Sequence, residues 1–217
     1  GVKQDLNALG EFIRLFLVQN GRMRSPLFLA GESYGTFRVA GLSKHLLDKN
    51  IALNGLILVS TILDFRPVKP TKGNELPYAL YVPTYTAAAW YHKMLPPALQ
   101  QRDLNQILPE AEDYTINSLI PALSKGGFIS EQEKQSTAKK IAYYSGLSEK
   151  AVLQNNLSVP TQFFWKELLR DKTGQTIGRL DSRYLGMDRA DAGDGPDYNA
   201  ELSSWLHSFT PAMNYYI

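Results

Sequence analysis

The sequence predicts an α/β chain that opens on a parallel sheet and continues as a long, mostly helical segment. Three observations carry this. Apolar residues recur at three- and four-residue spacing over the first twenty positions. Two short unbroken apolar runs follow, separated by a second helical pattern. After Asp64 the strand signals stop and helical periods take over. Helix, strand, turn, helix, strand is the grammar of parallel pairing, because parallel neighbours need a crossover connection.

The first helix is marked by Val2, Leu6, Leu9, Phe12, Ile13, Phe16 and Leu17, and Asn20-Gly21 stops it. Pro26-Leu27-Phe28-Leu29-Ala30 reads as a strand buried on both faces. A helix is expected from about Phe37 to Leu47, and Leu56-Ile57-Leu58-Val59 reads as a second buried strand. Arg66 to Tyr78 carries Pro67, Pro70, Gly73 and Pro77 and reads as a loop. Beyond it, helices are expected over Thr84–Leu95, Asp103–Lys125, Ser130–Ser145, Ser148–Asn156, Thr161–Arg170 and Asn199–Phe209, the last ending near Pro211. Ser130-Glu131-Gln132-Glu133 has the form of a capping box, Ser148 and Thr161 that of N-caps, and Gly126-Gly127 that of a stop. The expected organisation is therefore a sheet-bearing part, residues 1–65, and a helical part, residues 66–217.

Composition narrows the function classes. Hydrophobic residues are 44% and charged residues 20% of 217, an ordinary globular balance. Net charge is +2 with the basic residues scattered, so no nucleic-acid partner is expected. No apolar run approaches the roughly 20 residues that span a bilayer, so no membrane partner is expected either. With no cysteine there is no disulfide framework, thiolate nucleophile or sulfur-ligated zinc. The acids Asp191, Asp194 and Asp197 are spaced somewhat like a calcium loop but lack its alternation and terminal glutamate, so they read as a solvated loop. No phosphate loop or dinucleotide fingerprint occurs.

The chemistry-bearing motif is Gly31-x-Ser33-x-Gly35, set between the first strand and the second helix. In that context it is a nucleophile elbow, the turn that projects a serine hydroxyl beyond the carboxyl end of a sheet. The flanking glycines keep side chains clear of neighbouring elements. The amide of Tyr34 is then one donor of an oxyanion hole. The bland alternative is a Gly/Ser turn without chemistry. The elbow makes the expected fold part of an α/β-hydrolase parallel sheet, with residues 66–217 as a large helical cap.

Leu29-Ala30-Gly31-Glu32-Ser33-Tyr34-Gly35 resembles the elbow of the serine carboxypeptidases. Pro83-Thr84-Tyr85-Thr86-Ala87-Ala88-Ala89-Trp90-Tyr91 and Gly178-Arg179-Leu180-Asp181-Ser182-Arg183-Tyr184 look like bacterial members of that family. Thr36 departs from the pattern, which has Gly or Ala there, and is expected to add bulk beside the site. The resemblance implies hydrolysis of C-terminal peptide bonds through an acyl-enzyme on Ser33, with no cofactor and no metal. It implies that Glu32 helps bind the C-terminal carboxylate of the peptide as a protonated acid, together with a second acid from elsewhere. It also implies an exported or periplasmic setting. Two other readings stay open: an esterase or acyltransferase on the same scaffold, and a non-catalytic hydrolase-like module.

A serine hydrolase of this fold needs an Asp and then a His later in the chain. The histidines are His45, His92 and His207. His45 lies about 18 Å along the helix leaving Ser33, His92 sits on a cap helix, and His207 reads as helical. Asp194 and Asp197 stand too close to His207 in sequence for a strand–helix–strand path between them. The chain is therefore expected to be a central fragment without its triad Asp and His, inactive by itself and prone to self-association. The aromatics Tyr78, Tyr81, Tyr85, Trp90 and Tyr91 either line a substrate cleft or pack helices; Phe163-Phe164-Trp165 reads as core.

Overall fold

In the computed structural model, which describes residues 1–216, helix α1 spans Val2–Gln19 and strand β1 spans Phe28–Glu32. Helix α2 covers Tyr34–Asp48 and strand β2 covers Gly55–Val59. β1 and β2 pair in parallel, with Phe28 opposite Gly55 and Glu32 opposite Val59. Asn54 sets that register: its amide donates to the Leu27 carbonyl at 2.8 Å, and its Oδ1 accepts from the Leu27 amide at 2.9 Å. A small core forms where Leu17 of α1, Leu46 of α2 and Ile51 meet, with Leu27, Leu29 and Leu53 against it. Asp5 and Arg38 add an ion pair between the two helices at 2.7 Å.

The expectation of two strands buried on both faces is corrected. β1 alternates exposed and half-buried, while Leu56, Ile57, Leu58 and Val59 of β2 are 41–53% exposed. The cause is the extent of the sheet. The two strands form a two-stranded sheet, and α2 packs mainly on β1. A run of apolar residues records β-propensity and not the number of layers above it.

The chain divides into two compact units, Gly1–Phe65 and Arg66–Ile217. The second is built from helices: α3 (Leu76–Leu80), α4 (Val82–Tyr91), α5 (Pro97–Gln100), α6 (Leu104–Tyr114), α7 (Ile120–Ser124), α8 (Glu131–Ser145), α9 (Glu149–Gln154), α10 (Thr161–Glu167), α11 (Arg170–Thr173) and α12 (Ala200–Tyr216). Its core joins Val82, Tyr85 and Ala89 of α4 with Ile107, Leu119, Ile141, Val152 and Phe164. A two-residue antiparallel ribbon, β3 (Thr176–Ile177) with β4 (Leu185–Gly186), precedes α12. No described helix is long and apolar enough to cross a membrane.

Several local expectations are refined. The segment 104–124 is not one α-helix: a π-turn over Thr115–Leu119 joins α6 to α7. Pro121 cannot donate a backbone bond, so the ladder rewinds just before it. The expected loop of residues 66–78 is already helical from Leu76, because Pro77 is well placed in a first turn. Ser130 caps α8 by accepting from the Glu133 amide at 3.2 Å, yet the box is only half made. Glu133 instead takes Lys125 Nζ at 2.6 Å. Thr161 is not an N-cap; Pro160 holds that place and Thr161 is the first helical residue. α12 passes through Pro211, where the carbonyl left without a donor belongs to exposed His207 and is open to water.

Candidate active site

Ser33 sits alone between β1 and α2 with φ 53 and ψ −120. That backbone region is rarely taken by a residue with a side chain. Its amide donates to the Val59 carbonyl at 3.0 Å, which ties the turn to the end of β2. The next residue after β2, Ser60, also has positive φ, at 52. Both strands are thus followed by a residue of positive φ at the carboxyl end of the sheet.

The hydroxyl of Ser33 is not spent on capping α2, although a serine before a helix usually caps it. The Tyr34 amide, at the first helical position, has no acceptor among the described residues. It is one of the orphan donors that any helix start leaves. A half-buried hydroxyl and a free amide therefore stand on adjacent residues.

Gly31 is required by close approach. A Cβ there would overlap the Gly35 carbonyl and press on Val39 Cγ2 at 2.9 Å. Without it, the first turn of α2 rests directly on β1. Gly35 behaves differently from the expectation that both glycines clear neighbouring elements: a Cβ there would meet nothing within 4 Å.

Thr36 also departs from expectation. It does not crowd the site, since it is 2% exposed and points inward. Its Oγ1 donates to the Ser33 carbonyl at 2.7 Å and accepts from the Ile62 amide at 3.3 Å. Composition and spacing gave no sign of this tie, because Ile62 lies twenty-six residues away. An aromatic group also flanks the elbow. Tyr34 lies 5.8 Å from Phe37, Phe37 lies edge-on to Phe65 at 6.0 Å, and Arg38 sits 5.3 Å from the Tyr34 ring. The three-residue spacing of Tyr34 and Phe37 on a helix was the available signal. Glu32 is exposed at the end of β1.

No histidine of residues 1–65 reaches Ser33. His45 is the one in that unit, and its ring fills the space beside Gly10 of α1, where a Cβ would overlap it. In the second unit, His92 Nε2 donates to the Ser182 carbonyl at 2.6 Å, and His207 is exposed on α12. Among the described residues no group of three or more His, Asp or Glu side chains is placed to hold a metal. In the acidic loop, Asp188 Oδ1 accepts from the Asp197 amide and Asp197 Oδ2 from the Arg189 amide, at 2.9 and 3.0 Å.

The aromatic group of the second unit is divided by the structure. Trp90 is a structural donor to the Arg102 carbonyl at 3.0 Å, and Tyr91 is exposed against His92. Tyr78 faces a cavity of about 650 Å³. Tyr81 and Tyr85 line another of about 770 Å³, together with Phe164 and Trp165. Tyr85 is buried, donates to the Val159 carbonyl at 3.1 Å, and has its phenol pushed far above its ordinary range by desolvation.

No protein-family model, no curated protein and no solved structure matches this chain.

Proposed function

We propose that Ser33 is the nucleophile of a serine hydrolase of the carboxypeptidase type, acting on C-terminal peptide bonds. The observation that carries this reading is the backbone of Ser33, φ 53 and ψ −120 between a strand and a helix. Such a conformation costs on the order of 1–3 kcal/mol for a residue with a Cβ. Glycine would make the same connection at less cost. The side chain retained at that position supports a chemical role, and its uncommitted hydroxyl supports it further.

In this reading Ser33 Oγ attacks the last peptide carbonyl while a general base takes its proton. The oxyanion receives the Tyr34 amide, the amine leaves with the proton from the base, and water then hydrolyses the acyl-enzyme. Exposed Glu32 stands next to the nucleophile, where it would flank the peptide's C-terminal end. Within residues 1–65 the single histidine is packed against α1, so a histidine base would come from outside residues 1–65.

The test is labelling of the 217-residue chain with a fluorophosphonate probe, with Ser33→Ala as control. Labelling that vanishes in the variant supports the proposal, and labelling that survives overturns it. A folded chain that takes no label means that no base within these residues activates Ser33. Matched peptide and ester substrates sharing one acyl group separate a peptidase from an esterase.

A further inference from the structure

The cavity of about 770 Å³ in the second unit has a composition that the chemistry of Ser33 does not use. One wall is a ladder of rings. Tyr81 stacks on Tyr85 at 6.0 Å between centroids, and Tyr85 stacks on Phe164 at 4.0 Å. Tyr81 is 37% exposed, so the ladder ends on an open ring face or edge.

The lining also carries Arg179. Its place is built into the fold. Glu201, the second residue of α12, is fully buried. Its two carboxylate oxygens accept the Arg179 amide at 3.1 Å and the Leu180 amide at 2.9 Å. Gly178 precedes them with no room for a Cβ, which would overlap Glu201 Oε2 and the Asp181 carbonyl. The chain is therefore clamped where Arg179 begins.

The clamp leaves the guanidinium unneutralised. Glu201 spends its oxygens on backbone amides. Asp181, two residues on, is taken by Arg183 through contacts of 2.6–3.2 Å. Among the described residues Arg179 has no ion-pair partner, whereas its neighbour Arg183 does. An exposed arginine without an ion-pair partner, on the lining that also carries the aromatic ladder, suits a planar anion borne by an aromatic molecule. Asp197 on the same lining repels a doubly charged phosphate more strongly than a singly charged carboxylate. The volume is in the range of small-molecule sites.

We propose that this cavity binds an aromatic carboxylate, with the ring against Tyr81 and the carboxylate on Arg179. The proposal does not rest on the reading of Ser33.

The experiment is isothermal titration of the 217-residue chain with N-acetyl-phenylalanine, its amide, N-acetyl-alanine and phenyl phosphate. Saturable one-to-one binding is expected, with the acid about tenfold tighter than the amide. Arg179→Gln brings the acid down to the level of the amide, and Arg179→Lys falls between. Tyr81→Ala weakens acid and amide together by several-fold. Both side chains are exposed, and circular dichroism checks that the variants fold. Absence of saturable binding overturns the proposal. So do equal affinities for acid and amide, an acid preference that survives Arg179→Gln, alanine binding as well as phenylalanine, or phenyl phosphate binding more tightly than the acid.

Discussion

Thr36 holds Ser33 from behind: its hydroxyl donates to the Ser33 carbonyl at 2.7 Å while accepting the Ile62 amide at 3.3 Å. The strained residue is thus anchored to the segment that leaves β2. Strain of this kind persists only where surrounding contacts over-determine it. Thr36→Val keeps the shape and removes the hydroxyl, leaving the half-buried Ile62 amide without its acceptor. We expect a loss of about 1–3 kcal/mol, read as a lower urea midpoint. Thr36→Ser should restore most of it. A valine variant of unchanged midpoint would show that the tie contributes nothing.

The two elbow glycines should respond oppositely. Gly31→Ala drives a methyl into the Gly35 carbonyl and Val39, with an expected cost of about 1–3 kcal/mol or more. Gly35→Ala enters open space in the first turn of α2 and should be neutral or gain up to about 1 kcal/mol. Equilibrium unfolding of the pair checks the contrast, and equal effects would argue against direct contact between β1 and α2.

Lys166 and Asp188 form an ion pair at 2.7 Å with both side chains 3% exposed. Lys166 also donates to the Ala190 carbonyl at 2.8 Å. Lys166→Met strands a buried carboxylate, and the expected cost is about 3–5 kcal/mol. A thermal scan should show Tm falling by roughly 10 °C. A fall of only a degree or two would mean that the site is wet.

Glu167 gives a pH signature. Burial raises its pKa above the ordinary 4.5, against the opposing field of Arg170, with Asp171 adding a smaller upward push. Its Oε2 lies 3.1 Å from Arg170 Nη1 yet receives no hydrogen bond. A raised folded pKa means that the folded state holds the proton more tightly. The penalty for ionising Glu167 is therefore absent below pH 4.5 and grows as pH rises through the folded pKa. Glu167→Gln removes that penalty. Its stability relative to the parent should rise with pH from about 4.5 upward, followed by urea midpoints across the range. A difference independent of pH would contradict the shift.

Local chemistry was legible in the sequence. The three- and four-residue spacing of α1, the Asn-Gly breaks, the serine caps of α8 and α9, and the tight turn at Ser33 between a strand and a helix all follow from rules acting over a few residues. The strain at Ser33 was foreseeable for the same reason, since a one-residue turn from strand to helix leaves few conformations. What only the tertiary structure decided depends on distant partners. Nothing in Leu56-Ile57-Leu58-Val59 tells how many layers cover it, and the strand is exposed. Nothing at Thr36 names Ile62, and nothing in Gly178-Arg179-Leu180 announces that Glu201 will hold its amides and leave a guanidinium unpaired. Propensity and turn chemistry act on neighbours in the chain, whereas burial and charge neutralisation act on neighbours in space, and only folding brings those together.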